Sequence, residues 1–181
     1  MGKSNSFCLR LAATLPLKGM PPTAAIMNKG VADDTLLNTP EHCRIIQGMS
    51  WWAVGTGLLG ISHGHTAMGT GVLIGSGIAY AYWWRPTYSW RRRLDMTWVQ
   101  VLLWWHLYAA LESPVRIPYY TISAAGAGCY ALSWGASMQG WQWTSTVFHM
   151  LLTACANLSL TVLYSGTPAA GARTENLIDD L

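Results

Sequence analysis

Charge is scarce in this chain. Only 10% of its 181 residues are Asp, Glu, Lys or Arg, while 51% are hydrophobic; an ordinary soluble domain carries about 25% charged residues. The shortage argues against a conventional water-exposed fold. It argues equally against intrinsic disorder, which needs polar, charged chain. The formal net charge of +3 is too small and too clustered to suit nucleic acid or another polyanion. Cys8, Cys43, Cys129 and Cys155 are scattered and form no CxxC pair, so a disulfide-stapled module is excluded. No phosphate loop leads from a strand to a helix, no nucleophile elbow is present, and no carboxylate pair shares one membrane plane. Gly55-Thr56-Gly57 and Gly69-Thr70-Gly71 lie inside apolar runs and make poor nucleotide loops. The two halves do not align, which leaves an inverted-repeat transporter without support.

What the chain has is aromatic and small: 11 Trp, 8 Tyr and 18 Gly. In membrane proteins aromatics gather at the interfaces and glycine sits between helices. Five hydrophobic stretches follow one another: Ile45–Ser62, Thr66–Trp84, Leu94–Leu111, Ile117–Ser137 and Thr144–Tyr164. Each approaches the roughly 20 residues a helix needs to cross the hydrocarbon, and a lipid-facing backbone must be helical. The expected fold is all-α, a polytopic transmembrane bundle of about five helices over residues 44–165, with four as the alternative count. The linkers are short: the His63-Gly64-His65 hairpin, a basic loop Arg85–Arg93, a proline-bearing turn Glu112–Arg116 and an aromatic loop Met138–Trp143. The fourth stretch, rich in Ala, Gly and Ser, is expected inside the bundle, with a re-entrant piece as the alternative.

Two polar ends frame the bundle. Residues 1–43 form a basic extension; its first 32 residues hold Lys3, Arg10, Lys18 and Lys29 and no acid. It reads either as an organelle import signal or as a basic tail on a membrane or partner. Its Met-Gly-Lys-Ser-Asn-Ser start also fits the loose myristoylation pattern, with Cys8 near for a second acyl chain. Residues 166–181 read as a polar tail.

Lys and Arg set the orientation. Arg44, Arg85, Arg91, Arg92 and Arg93 share one face with the N-terminal extension, and the opposite face receives Arg116 and Arg173 amid acids. The positive-inside rule then puts the N-terminus on the cytoplasmic, matrix or stromal side and the C-terminus opposite. Trp51, Trp52, Trp83, Trp84, Trp90, Trp134, Trp141 and Trp143 map near the basic face as an aromatic belt. Arg85, Trp90, Arg91, Arg92 and Arg93 are expected to dock anionic lipid headgroups or a partner. Asp95 is expected to cap the third helix and pair with Arg91 or Arg92.

Small residues recur at i, i+4: Ala67, Gly71, Gly75 and Ala79 in the second stretch, Ser123, Ala127, Ala131 and Gly135 in the fourth, with Ala53 and Gly57 in the first. Such faces let helices approach closely where lipid gives them no hydrophobic reason to associate. Polar residues within the spans are few: Gln47, Gln100, His106, His149 and Asn157. His63, His65, His106 and Glu112 fall toward one face and could together hold a transition metal, or ligate haem or chlorophyll. The spacing matches no metal motif, and a hydrogen-bonded packing role explains each histidine as simply.

These features point to a structural or accessory integral-membrane subunit of a larger assembly, with other membrane-protein subunits and anionic lipids as partners and no nucleic acid. An energy-converting organelle membrane, an inner membrane or thylakoid, is the first setting and a virion membrane the second. The alternatives are a His-based metal, haem or pigment protein or intramembrane enzyme, and a small transporter or channel lined by Gln47, Gln100 and Asn157.

Overall fold

The computed structural model describes residues 39–87 and 89–167. The import, acylation and Cys8 expectations, and those for the tail beyond Thr167, fall outside the described residues. Among the described residues there are five α-helices and no strand: α1 (Pro40–Ser62), α2 (Thr66–Trp84), α3 (Trp90–Ala110), α4 (Arg116–Met138) and α5 (Gln142–Gly166).

Local chemistry sets the boundaries. Thr39 is extended and Pro40 opens α1, where its missing N–H would have no helical partner anyway. At the other end Gly64 takes φ 83°, a conformation that favours glycine. The Gly64 N–H donates to Ile61 O at 3.0 Å and the His65 N–H to Gly60 O at 2.9 Å, which is a Schellman C-cap. Gly140, at φ 75°, closes α4 the same way, with Trp141 N–H donating to Ala136 O at 2.9 Å. Pro86 disfavours helix at Arg85, and α2 stops at Trp84.

The third helix starts earlier than hydrophobicity alone suggests. Ser89, extended at φ −113°, occupies the N-cap position. The basic loop therefore shrinks to Arg85–Ser89, and Arg91, Arg92 and Arg93 wind into the first turn of α3, which holds no acid. Asp95 lies in the second turn, buried, instead of capping the helix. In the same way α1 begins at Pro40, so Trp51 and Trp52 stand roughly 16 Å along it, at mid-helix depth and away from the basic end.

The hairpins α1–α2 and α4–α5 pack most closely, α1 lies against α5, and α2 lies against α3. The spatial order is thus α3, α2, α1, α5, α4. Consecutive α3 and α4 touch little; Tyr120 ties them by donating its hydroxyl to Leu107 O at 2.8 Å, beside their connecting turn. Ala110, Tyr119 and Leu163 form the apolar centre at that end, flanked by Leu107, Tyr120 and Leu160.

Burial is inverted relative to a soluble bundle. The buried set includes His42, Gln47, Ser50, Thr56, Ser76, Asp95, His106, Ser133, Thr146, Asn157 and Ser159, beside only a few large apolar side chains. Outside stand Trp84, Trp104, Tyr108, Ile117, Leu132 and Leu158, with Tyr108 76% exposed. Hydroxyls and an indole N–H bond across helices: Ser76 Oγ to Ser50 O at 2.6 Å, Trp98 Nε1 to Gly71 O at 3.0 Å, Ser133 Oγ to Ser145 O at 2.8 Å. One helix among the described residues, α5, is long and apolar enough to cross a membrane. The others have 23, 19, 21 and 23 residues, a spanning length. Their glycine, serine, tryptophan and tyrosine dilute the apolarity.

Candidate functional site

At the end of the bundle shared by the Gly64 hairpin, the Leu111–Val115 turn and the last turn of α5, three aromatic rings meet. Tyr164 and His106 are both buried. The Nδ1 of His106 lies 2.7 Å from Leu102 O, which can only accept, so Nδ1 carries the hydrogen. Its Nε2, 2.6 Å from Tyr164 Oη, is then the acceptor of the phenolic proton. His65 stacks on Tyr164, ring centroids 5.4 Å apart. The His65 Nε2–H donates to Thr167 O at 3.0 Å, and Thr167 Oγ1 meets Ser113 Oγ at 2.7 Å. Room for the Tyr164 ring comes from Gly60, where a Cβ would lie 2.8 Å from Cε2. The network pins four segments together and satisfies every polar atom it buries.

The structure thus brings His65 and His106 to one site, with Tyr164 between them. His63 is exposed and turned back onto its own helix, Nδ1 3.0 Å from Leu59 O. Glu112 is exposed in the α3–α4 turn. Among the described residues no group of three or more His, Cys, Asp or Glu side chains is placed to hold a metal ion. Both nitrogens of His106 are already engaged, so ligation would first cost two hydrogen bonds in a buried site. His149 stands apart at the opposite end, its ring 5.2 Å from Trp83. His42 also lies there, edge-on to Trp143 at 4.5 Å, with its Nδ1 buried and without a hydrogen-bond partner. The amides do not line one path either. Gln47 donates to Tyr80 O, Asn157 donates to Thr153 O within its own helix, and Gln100 is exposed on α3.

The small-residue faces divide. Gly71 and Gly75 receive α3: a Cβ at Gly71 would lie 3.0 Å from Leu102, and one at Gly75 2.8 Å from Trp98. Ala67 is exposed and Ala79 half-buried. The closest backbone-to-backbone approach at a glycine is elsewhere, between Gly57 and Gly69, where a Cβ on Gly69 would lie 2.5 Å from Gly57 O. On α4, Ala127, Ala131 and Gly135 are exposed and Ser123 half-buried, while Tyr119, Gly126, Ser133 and Ala136 face the bundle. Gly126 sits over Cys155, and nothing lies within 4 Å of where a Cβ on Gly135 would be.

The basic end carries the arginine cluster. Arg85, Trp90, Arg91, Arg92 and Arg93 are exposed, Arg91 lies 5.9 Å over the Trp90 ring, and Arg92 hydrogen-bonds the buried Tyr82. Asp95 faces inward behind them. Two shallow grooves open here. One, of about 300 Å³, is lined by Ile74, Gly77, Ile78, Ala81, Trp90, Arg91 and Leu94. The other, of about 350 Å³, lies between the start of α1 and the end of α2 and includes Arg44, Trp83, Trp84 and Arg85.

Sequence reasoning missed Tyr164, Ser113 and Thr167, whose partners are distant in the chain, and missed Gly60 and Gly69. For Gly60 a signal existed: it lies three residues after Gly57 on α1, Gly57 bearing on α2 and Gly60 on α5. Comparison with known protein families, curated proteins and solved structures returns no match to this chain.

Proposed function

We propose that this chain is a multi-pass integral-membrane protein whose five helices cross the bilayer, serving as a structural or accessory subunit of a larger membrane assembly. The inverted burial carries the reading. Hydroxyls, amides and imidazoles fill the interior, while tryptophan, leucine and isoleucine cover the outside. In water that arrangement would forfeit the main driving force of folding. In lipid it is the economical one, because polar side chains then find partners only inside the bundle. The exposed Ala127, Ala131 and Gly135 of α4 support the subunit reading, since they offer a smooth face on which a neighbouring helix can seat.

The arginine-bearing end is cytoplasmic, matrix or stromal in this reading, and the His63–His65 end lies on the other side. An organelle inner membrane or thylakoid is the favoured setting. Extraction in mild detergent followed by native electrophoresis and identification of co-migrating proteins tests the proposal. Migration with fixed companions supports it. A stable monomer whose deletion leaves every neighbouring complex intact refutes it.

A further inference from the structure

The groove between α2 and α3 has a definite shape and charge. Gly71 and Gly75 oppose Leu102 and Trp98, so the helices run antiparallel and Trp90 and Arg91 stand near Ala81, with Leu94 a turn deeper. Ile74, Gly77, Ile78 and Ala81 recur at i, i+3, i+4 and i+7 and form a floor that runs roughly 10 Å along α2. Gly77 is the low point of that floor: nothing lies within 4 Å of where its Cβ would be. The mouth is cationic, with Arg91 lining it and no acid in the lining. Arg91, Arg92 and Arg93 also sit in the first turn of α3 with no acid there, where the positive end of the helix dipole makes added positive charge unfavourable. A bound anion offsets both.

We propose that this groove holds one acyl chain of an anionic phospholipid, whose phosphate rests on Arg91 beside the Trp90 ring. The inference rests on the membrane reading above. The volume of about 300 Å³ suits part of a single chain and not a packed helix, and the apolar floor with a basic rim matches a lipid's own division into tail and headgroup. Arg91 gives a charge-assisted contact to phosphate, and the exposed Trp90 ring beside it is of the amphipathic kind that settles at a bilayer interface.

The test is lipid retention by the detergent-purified full chain in native mass spectrometry, titrated with dioleoylphosphatidylglycerol or dioleoylphosphatidylcholine. The expected result is one phosphatidylglycerol retained at concentrations where phosphatidylcholine is lost. Arg91→Gln should lower retention about tenfold, the scale of one charge-assisted hydrogen bond. Gly77→Leu, which fills the floor, should abolish it, while Arg116→Gln at the opposite end should change nothing. Equal retention of the two lipids, or retention indifferent to both Arg91→Gln and Gly77→Leu, overturns the proposal. Alkaline carbonate treatment of the source membranes separates the two failures. A chain that stays in the pellet yet shows no lipid preference sinks the groove alone, and a chain released to the supernatant sinks the membrane reading.

Discussion

Gly55 and Gly57 lie two residues apart in the middle of α1 and meet opposite surroundings. A Cβ on Gly57 would stand 2.8 Å from Leu73 Cδ2 and 2.9 Å from Gly69 O, whereas one on Gly55 would meet nothing within 4 Å. Leu73 can swing aside, but the Gly69 carbonyl belongs to the α2 backbone, roughly 0.6 Å inside ordinary contact. Accepting alanine at position 57 therefore means prying α1 from α2 along their shared face, which about two turns further along also carries the Ser76-to-Ser50 bond. Overpacking of this kind costs about 1–3 kcal/mol. Gly→Ala in a helix interior gains up to about 1 kcal/mol of propensity, but both positions gain it alike. The difference between Gly57→Ala and Gly55→Ala is thus the packing cost alone. Unfolding in mixed micelles of rising dodecyl sulfate content, followed by far-ultraviolet circular dichroism, reads that difference. Equal midpoints for the two variants would refute a backbone-to-backbone seam between α1 and α2.

Tyr164→Phe removes the proton donor to His106 but keeps the ring against His65; stability should fall by about 1 kcal/mol, the net worth of one hydrogen bond. In the background His106→Phe the same change should cost less, because the acceptor is gone, and a cycle with no coupling would show the bond is absent. Cys129 on α4 interacts with Cys155 on α5, which also packs over Gly126, so mild oxidation should link the two within one chain and leave Cys43 out, as peptide mapping would reveal. Ala131→Leu on the outward face of α4 should leave the isolated chain's unfolding midpoint in place yet strip co-migrating subunits from it. Loss of stability without loss of companions would place that face inside the fold.

The helices were legible where boundary chemistry and hydrophobicity agree. The second stretch, Thr66–Trp84, coincides with α2, because a glycine C-cap precedes it and Pro86 follows. They are less legible where a run of charge reads as a loop. Arg91, Arg92 and Arg93 look like a linker, yet the helix begins before them, with Ser89 at the N-cap position though its hydroxyl makes no capping hydrogen bond. The α4 stripe illustrates a different limit. Residues Ala124, Ala125, Gly126, Ala127 and Gly128 are small on every side, so i, i+4 spacing cannot choose a face there. The choice is made by what α5 presents, with Cys155 over Gly126 and Ser145 bonding Ser133. At the histidine site one-dimensional reasoning grouped His63, His65 and His106 by depth alone. Depth is right for His65 and His106, but the helix's turn points His63 away, and Tyr164, 58 positions from His106, leaves no local trace.

Site-directed spin labelling of the chain reconstituted in vesicles bears most directly on the claim that lipid surrounds these helices. Labels at Trp104, Leu132 and Leu158, all outward-facing, should relax readily with oxygen and poorly with a water-soluble nickel chelate. The reverse, nickel relaxing all three as it does a label in water, would mean that the apolar exterior does not face acyl chains.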